Sequence, residues 1–205
     1  MAYRTSEFRI ERDQALREHI LDCALYQVAD GGFSALTMTS LASSAGVATG
    51  SLYRHFPGKA ALACEVFARA TRVEIDSLKT AFFGQGNAAQ RLSRGLTQFA
   101  ARAWQSRQLA YALIAEPVES EVDAQRLRYR EAYAELFIRL IRQGNEDGSF
   151  SVSNIPVTAA CMVGTVAESL IGPLSPQARA LRASGLPSES LESVTRALTL
   201  FCLRA

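Results

Sequence analysis

The sequence predicts an all-α protein, and two observations carry that prediction. Beyond Lys59 the apolar residues recur at helical spacing, and no segment alternates as a strand would. Before it, residues 36–59 have the pattern of two short helices joined by a Gly46-Val47 turn. The 205 residues suffice for one small and one larger domain. We therefore expect a three-helix helix-turn-helix domain over residues 1–60 and a larger helical domain over residues 61–205.

The first helix of the pair has sequence signals at both ends. Thr37 is a good N-cap, because its hydroxyl can accept a hydrogen bond from the backbone N–H of Ser40. Leu36 and Leu41 flank this cap at the spacing of a hydrophobic staple. Gly46 supplies the positive φ that a sharp helix exit usually needs.

The second helix of the pair is predicted to bury Leu52 and Phe56, which lie one turn apart. Pro57 ends this helix, because the residue before a proline disfavours α geometry. Lys59 then opens a new helix just after Gly58. The residues left pointing outward are Thr49, Gly50, Ser51 and Arg54.

The distribution of charge in this region favours contact with DNA. There is no Asp or Glu from Gly31 to Cys64, and a surface that approaches a polyanion cannot carry carboxylates. The net charge is only +2, so affinity must come from local arrangement. Arg4, Arg9 and Arg12 precede the first helix as an arm that could reach a groove, although a disordered, solvated terminus is the simpler interpretation. The general alternative is three amphipathic helices with a solvated polar face.

These residues resemble the TetR-type bacterial transcriptional repressors, whose pattern runs from a Thr cap through Ala-Gly-Val to Gly-x-Leu-Tyr-x-His-Phe-x-x-Lys. The chain has Ala45-Gly46-Val47, then Gly50-Ser51-Leu52-Tyr53-Arg54-His55-Phe56 and Lys59. The specific match covers about residues 12–63, and the remainder matches in architecture only. Ala48 departs from the pattern, because the family usually has a hydroxyl residue there to cap the second helix.

The resemblance implies that the first helix starts near the DNA backbone, that the second starts at base edges, and that cations and hydroxyls beyond bind phosphates. Thr37 and Thr39 are implied to lie near the DNA backbone, and Thr49, Gly50 and Ser51 are implied to face base edges. Tyr53, His55 and Lys59 are implied to bind phosphates. Arg54 occupies a position that varies in the family, and we expect it to contact a base or a phosphate.

Three of these side chains have a structural alternative. His55 could be a buried histidine beside Phe56 rather than a phosphate ligand. The ring of Tyr53 is expected to pack on the core, so that only its hydroxyl reaches a phosphate. Lys59 could be a solvated first-turn lysine, but its charge is locally unfavourable there, and an external anion would explain it.

The rest of the chain is predicted as further helices separated by short connections. We expect them at about 59–83, at 87–105, through Leu109, Tyr111 and Ile114, at 119–143, at 155–171 and at 188–203. Residues 144–148 are predicted as a turn and residues 173–187 as a surface loop.

The helix predicted over residues 155–171 differs from the others, because its only charged residue is Glu168. A helix that is apolar on nearly all sides must be covered on all sides, which is hard to arrange within one chain of this size. We expect a homodimer in which this helix and the last one meet their copies, as the resemblance also implies. The interface residues expected are Ala160, Gly164, Ala167, Leu191, Val194, Leu198 and Phe201.

The dimer has one alternative and one consequence for the DNA that it would bind. A central core helix in a monomer would also explain the apolar composition. In the dimer, two-fold symmetry requires inverted half-sites on double-stranded DNA, spaced by about one turn, ~34–36 Å, or more.

By the same resemblance, residues 60–143 hold a pocket for an unidentified small-molecule effector. A ligand there would move the helix that begins at Lys59 and change the separation of the two reading heads. The residues expected to contact it are Phe67, Phe99, Trp104, Tyr111, Met162 and Glu168. Core packing is the alternative for the aromatic residues, and Glu168 could instead pair with Arg102 or Arg139, or cap an intersubunit hydrogen bond.

Catalysis, metal binding and cofactors are not predicted. The chain has two histidines, no paired carboxylates on one inward face, no Ser–His or Cys–His proximity by spacing and no phosphate loop. Its cysteines have no metal or redox spacing, and we expect buried small hydrophobes, with a thiol sensor as the alternative. These cysteines are Cys23, Cys64, Cys161 and Cys202.

No stretch is predicted to span a membrane, and the N-terminus lacks the apolar core of a signal peptide. The sequence therefore predicts a cytoplasmic DNA-binding regulator, most simply a repressor released from its operator by a ligand. An activator or a ligand-independent regulator of the same fold remains open, and an all-α enzyme is the more distant alternative.

Overall fold

The computed structural model describes the backbone of residues 2–204 and the side chains of residues 8–204, and over that range it contains α-helices and one short 3-10 turn (Phe33–Ala35) but no strand. The helices are α1 (Ala2–Gly31), α2 (Met38–Ser44), α3 (Thr49–His55), α4 (Lys59–Phe82), α5 (Ala88–Gln105), α6 (Arg107–Ile114), α7 (Ser120–Asp147), α8 (Ile155–Leu174), α9 (Pro176–Ala183) and α10 (Leu191–Arg204). The predicted all-α fold class is confirmed.

The N-terminal core is built from short helices around α1. Ile20, Ala24 and Val28 recur along one side of α1 and are fully buried, as an amphipathic helix requires. Leu41 from α2 and Leu52 from α3 are fully buried in the same cluster. Their burial holds the two short helices at fixed positions, which isolated seven-residue helices could not maintain.

Helix α4 runs through both cores of the protein. Leu62 and Val66, near its start, belong to the N-terminal cluster, whereas Ile75 and Phe82 belong to a second cluster with α5, α7, α8 and α10. Ion pairs from Arg69 to Glu18 and Asp22 (2.5 and 2.7 Å), and from Arg17 to Glu65, also join α4 to α1. A displacement of α4 would therefore change its contacts with the N-terminal helices.

Three predicted boundaries differ from the structure. α1 begins at Ala2, so Arg9 and Arg12 lie within a helix rather than in an arm, and the side chain of Arg4 lies outside the described residues. α7 continues through the predicted turn to Asp147, because the polar residues there are compatible with an exposed last helical turn. The predicted loop over residues 173–187 contains α9, whose first turn is capped by Ser175.

Among residues 2–204, α8 is the helix long and apolar enough to cross a membrane, with 20 residues, a mean hydropathy of 1.5 and 22% of the most apolar window buried. The expectation that no stretch spans a membrane stays a prediction. The core helix of a folded protein passes the same test. Met162, Val166 and Leu170 are buried against the second core, so one side of α8 is covered within the chain.

The predicted interface residues divide between two sides of α8 and α10. Val194 and Leu198 are buried within their own chain, where α10 packs on α5, and this corrects their assignment to the dimer interface. Phe201 and Ala160 are exposed, and Gly164, Ala167 and Leu191 are half-buried. A helical stripe cannot be assigned to an intramolecular or intermolecular neighbour from its period alone.

The cysteines are less uniformly buried than expected. Cys202 is buried, Cys23 and Cys64 are half-buried, and Cys161 is exposed on α8. The Sγ atom of Cys23 lies 3.8 Å from Nε2 of His19, so a Cys–His proximity exists after all, produced by i, i+4 spacing on α1. The burial of Cys202 raises the pKa of its thiol to about 11.

Candidate nucleic-acid interface and ligand cavity

The first helix of the motif, α2, begins as its sequence predicts. Oγ1 of Thr37 accepts a hydrogen bond of 3.1 Å from the backbone N–H of Ser40, and the two hydroxyl oxygens lie 2.8 Å apart. Ser40 also donates to Oε1 of Gln27 on α1 at 3.1 Å. Gly46 has φ +66°, which is the positive φ required for the turn. These contacts fix α2 against α1 and set the direction in which the chain enters α3.

The second helix, α3, lacks a side-chain cap. Ala48 is its N-cap residue and makes no capping hydrogen bond with its side chain. The first turn is instead closed by backbone contacts, with the N–H of Ser51 donating to the carbonyl of Ala48 at 2.8 Å. Thr49 and Gly50 are exposed, so the first turn of α3 presents backbone and small polar groups to an approaching molecule.

The predicted DNA-binding residues lie together around α2 and α3. Six are exposed and three are half-buried, and the exposed ones are Thr37, Thr39, Thr49, Gly50, Tyr53 and Arg54. The Nη2 atom of Arg54 lies 3.4 Å from Oγ of Ser51, so the two side chains share one surface. Tyr53 is 52% exposed, which corrects the expectation that its ring packs on the core.

His55 and Lys59 meet acidic residues that come from outside the acid-free segment. The His55 side chain is 4% exposed and its Nε2 lies 3.8 Å from Oδ1 of Asp13, a geometry that favours the buried alternative over a direct phosphate contact. Nζ of Lys59 lies 3.2 Å from Oε1 of Glu119. A backbone hydrogen bond lowers the pKa of the Glu119 carboxyl, and the contact with Lys59 lowers this pKa further. Burial acts in the opposite direction. The phosphate role of Lys59 stays a prediction, whereas the burial of His55 does not favour such a role.

A cavity of about 300 Å³ lies between α4, α5, α6, α7 and α8. Its walls are mainly apolar, and Leu25 of α1 contributes to them together with residues of the larger core. This arrangement suits a small molecule with a large hydrocarbon part.

Two of the six residues expected at the ligand site line this cavity, namely Phe67 and Phe99. Met162 is buried in the second core, and Tyr111 packs at the edge of that core. Glu168 is exposed on α8 and forms no ion pair among residues 8–204. Trp104 lies outside the cavity wall, where its ring contacts two arginines. The sequence places apolar residues on helices but does not show which of them border an empty space.

The cavity wall also carries charged side chains, namely Glu74, Arg102, Arg126 and Arg130. Two of them neutralise each other. Arg102 donates to both carboxylate oxygens of Glu74, with distances of 2.8–3.2 Å, so the pair carries no net charge. Burial, and then the nearby Glu74, raise the pKa of the Tyr133 phenol. Thr71 is 3% exposed, and its hydroxyl has no hydrogen-bond partner among residues 8–204. A ligand with one hydroxyl or carbonyl group would satisfy this hydroxyl.

A buried carboxylate joins the cavity helices to the DNA-binding region. Glu116, just beyond α6, accepts hydrogen bonds of 2.9 Å from the backbone N–H groups of Phe33 and Ser34. A Cβ at Gly32 (φ +79°) would lie 2.4 Å from Oε2 of Glu116, so the close approach requires glycine. Arg126 of α7 donates to the carbonyl of Glu116 at 2.8 Å. Sequence analysis missed this contact because its partners are 82 or 83 residues apart.

Residues 20–66 match the family model for bacterial regulatory proteins of the tetR family. Over these residues the chain resembles the TetR family. The matched segment begins in α1 and ends in the first turns of α4, so it contains the complete helix-turn-helix motif.

Curated relatives match part of the chain. The HTH-type transcriptional repressor KstR of Mycolicibacterium smegmatis is 36% identical over 89 residues, which are 43% of each chain. KstR of Rhodococcus jostii is 43% identical over 53 residues, which are 26% of this chain and 25% of that protein. The chain therefore aligns with less than half the length of the curated relatives it matches.

Solved structures extend the likeness to nearly the whole fold. The fatty acid degradation regulator FadR from Bacillus halodurans has a TM-score of 0.73 at 17% identity and covers 91% of this chain and 94% of its own. FadR from Bacillus subtilis, in complex with stearoyl-CoA, has a TM-score of 0.73 at 15% identity and covers 91% and 97%. At these identities the likeness shows that the larger domain shares the TetR-family fold.

Proposed function

We propose that this protein is a dimeric, cytoplasmic transcriptional repressor that binds an inverted-repeat DNA operator and is released by a small-molecule ligand. The observation that carries the proposal is the polar surface around α3. It presents Thr49, Gly50, Arg54 and half-buried Ser51 within a segment that has no acidic residue from Gly31 to Cys64. Such a surface suits the major groove, where small polar and cationic side chains can approach base edges.

Phosphate contacts would then position this surface on the duplex. Arg54 and the hydroxyls of Thr37 and Thr39 are exposed at its edges. Lys59 can join them if its ammonium group exchanges Glu119 for a phosphate oxygen, an exchange that a half-exposed ion pair permits. His55 acts instead from inside the domain, where it lies beside Asp13 and keeps the end of α3 packed.

The ligand would occupy the cavity between α4 and α8. Release requires that the ligand bind the DNA-free arrangement better than the DNA-fitting one. The cavity walls include both α4 and Leu25 of α1, and Glu116 joins the end of α6 to the turn before α2. A change in cavity shape can therefore reach the helix-turn-helix through contacts already present. The stearoyl-CoA complex of B. subtilis FadR supports an acyl thioester as the first ligand to test.

Binding to DNA can be tested by selecting bound fragments from the organism's genomic DNA and measuring affinity by fluorescence anisotropy at several salt concentrations. Replacing Ser51 with Ala should change which sequences are preferred, since Ser51 faces base edges in this proposal. Replacing Lys59 with Ala should weaken binding to all sequences alike and reduce the salt slope by about 1.

Arg72→Ala is the matched control, because it removes one exposed cation from α4 at a distance from the motif. Its effect on affinity and salt slope should be small. The proposal is wrong if the wild-type protein retains no genomic fragment at low salt, or if the control weakens binding as much as Lys59→Ala does.

A further inference from the structure

Two arginines lie against one tryptophan, and a third lies near one of them, where α5 and α6 meet the end of α8 and α9. The guanidinium carbons of Arg107 and Arg182 lie 5.1 and 5.3 Å from the centre of the Trp104 ring. Arg179 is close enough to Arg182 for their charges to interact. All four side chains are half-buried. We call these residues the arginine cluster.

The arginine cluster has hydrogen-bond donors without acceptors. Nε of Arg107, Nε of Arg179 and Nη1 of Arg182 are each buried and have no hydrogen-bond partner in the described part of the chain. Among residues 8–204, the hydrogen bond found for these three guanidinium groups is from Nη2 of Arg182 to the carbonyl of Pro173, at 2.8 Å. Buried donors left in this state carry the full cost of desolvation.

The arginine cluster is also unbalanced in charge. Among residues 8–204, no carboxylate forms an ion pair with any of its three guanidinium groups. Burial, and then repulsion from Arg107 and Arg179, lower the pKa of the Arg182 guanidinium. Arginine nevertheless stays protonated in proteins, so three positive charges face one another here. An anion that binds among them would relieve both the repulsion and the unpaired donors.

The arginine cluster adjoins the ligand cavity. Gln105 and Ser106 line that cavity and lie in the chain between Trp104 and Arg107. A molecule with its hydrocarbon part in the cavity would therefore need only to extend past the junction of α5 and α6 to reach the arginines. The apolar walls of the cavity and the adjoining arginine cluster together fit an amphipathic anion.

We infer that the arginine cluster binds a phosphate group of a ligand whose hydrocarbon part fills the cavity. This inference rests on the proposed ligand response and adds a site and a chemical class to it. A terminal phosphate has three acceptor oxygens and close to two negative charges, which match three unpaired donors and an excess of cations. A carboxylate has two oxygens and one charge, so it would leave part of the arginine cluster unsatisfied.

The test compares three probes by isothermal titration calorimetry on the full-length protein: stearoyl-CoA, coenzyme A and stearate. The double substitution Arg179→Met and Arg182→Met keeps the length of both stems but removes both charges. We expect it to weaken stearoyl-CoA binding by about 100-fold, about tenfold for each charge-assisted contact, and to change stearate affinity less than about twofold. Coenzyme A alone should bind weakly to the wild-type protein and lose that binding in the variant.

Arg139→Met is the matched control, because Arg139 stacks on Phe83 at 4.3 Å but lies outside the arginine cluster. It should leave all three affinities unchanged. Replacing Arg182 with Lys should restore part of the stearoyl-CoA affinity, since it returns the charge without the planar fork.

Several results would overturn the inference. One is an equal loss of stearate and stearoyl-CoA affinity in the double variant, and another is no loss of either. Failure of the wild-type protein to bind both stearoyl-CoA and coenzyme A would also overturn it. Dissociation of the double variant into monomers would show that a partner carboxylate, not a phosphate, occupies the arginine cluster. DNA binding measured on the same preparations separates these failures from a failure of the proposed repressor function.

Discussion

At the scale of single residues, Glu116 links two parts of the chain that are far apart in sequence. Its carboxylate is 8% exposed and accepts hydrogen bonds from the backbone N–H groups of Phe33 and Ser34. Hydrogen bonds to a charged acceptor are stronger than neutral ones, and a buried donor that loses its acceptor is costly. Glu116 therefore stabilises the turn that precedes α2 while belonging to the helices that enclose the cavity.

Replacing Glu116 with Ala should lower the free energy of unfolding by about 1–3 kcal/mol, because two backbone donors lose their acceptor and one of them is buried. Glu116→Gln should cost less, since it keeps one acceptor oxygen in place. Urea denaturation measures both values. Glu131→Ala removes an exposed carboxylate of α7 and should change stability by no more than about 0.5 kcal/mol. Equal effects of Glu116→Ala and Glu131→Ala would contradict this role for Glu116.

The residues that sequence analysis identified and those it missed differ in the range of their contacts. The cap at Thr37, the positive φ of Gly46 and the absent cap at Ala48 are local features, and the structure has all three. The acids beside His55 and Lys59 come from Asp13 and Glu119, so the acid-free stretch of sequence did not reveal them. Contacts between distant segments leave no periodic signal in the chain.

At the scale of secondary-structure elements, α8 has two apolar sides and only one of them is covered. Met162 and Leu170 face the core, whereas Val157 is 56% exposed and Cys161 is also exposed. An apolar helix face left open in one protomer is typical of a surface that a second copy covers. The exposed side of α8 therefore supports the dimer proposed above.

Replacing Gly164 with Glu should produce monomers of about 22.3 kDa in multi-angle light scattering, because it places a carboxylate in the apolar contact between subunits. A Cβ at this position meets no atom within 4 Å, so the protomer itself should fold normally. Cys161 should react slowly with maleimide in the wild-type protein and faster in the variant, as its surface becomes uncovered.

Leu127→Glu is the control for this experiment, because Leu127 is 57% exposed on α7 and lies outside the α8 surface. It should leave the oligomeric state and the labelling rate unchanged. A dimeric Gly164→Glu protein with slow Cys161 labelling would remove α8 from the interface.

Element boundaries were predicted well where apolar spacing or a terminal signal defines them. α4 and α5 begin and end within one or two residues of expectation. α9 was missed because its eight residues form no buried stripe, and its position depends on the capping contact of Ser175. The assignment of Val194 and Leu198 failed for another reason, since both sides of α10 carry apolar residues.

At the scale of the whole molecule, one continuous helix joins the DNA-binding region to the larger core. α4 contributes Leu62 to the first cluster and Phe82 to the second, and ion pairs from Arg69 hold it against α1. In a two-fold dimer, the separation of the two α3 helices would then depend on how α4 is held in each subunit. The geometry of the operator follows from that separation.

Operator spacing tests this geometry. Inserting about 5 bp between the inverted half-sites turns one of them to the opposite face of the duplex and should weaken binding by at least about 100-fold. Shortening or lengthening the spacer by one base pair should cost less, and a gel-shift titration measures both. A single half-site, used as the control, should bind no better than the 5-bp insertion. Equal affinity for the original and inserted operators would show that the two subunits read DNA independently.

The position of Leu25 has a consequence for how such a sensor can change. Leu25 belongs to α1 of the DNA-binding region, yet it forms part of the cavity wall. Leu25 thus affects both which ligand fits the cavity and how strongly ligand binding alters the DNA-binding region. A substitution of Leu25 would change the two properties together. The chemistry that the protein detects can be changed more independently at the wall residues of α8, such as Val166, which belong to the second cluster.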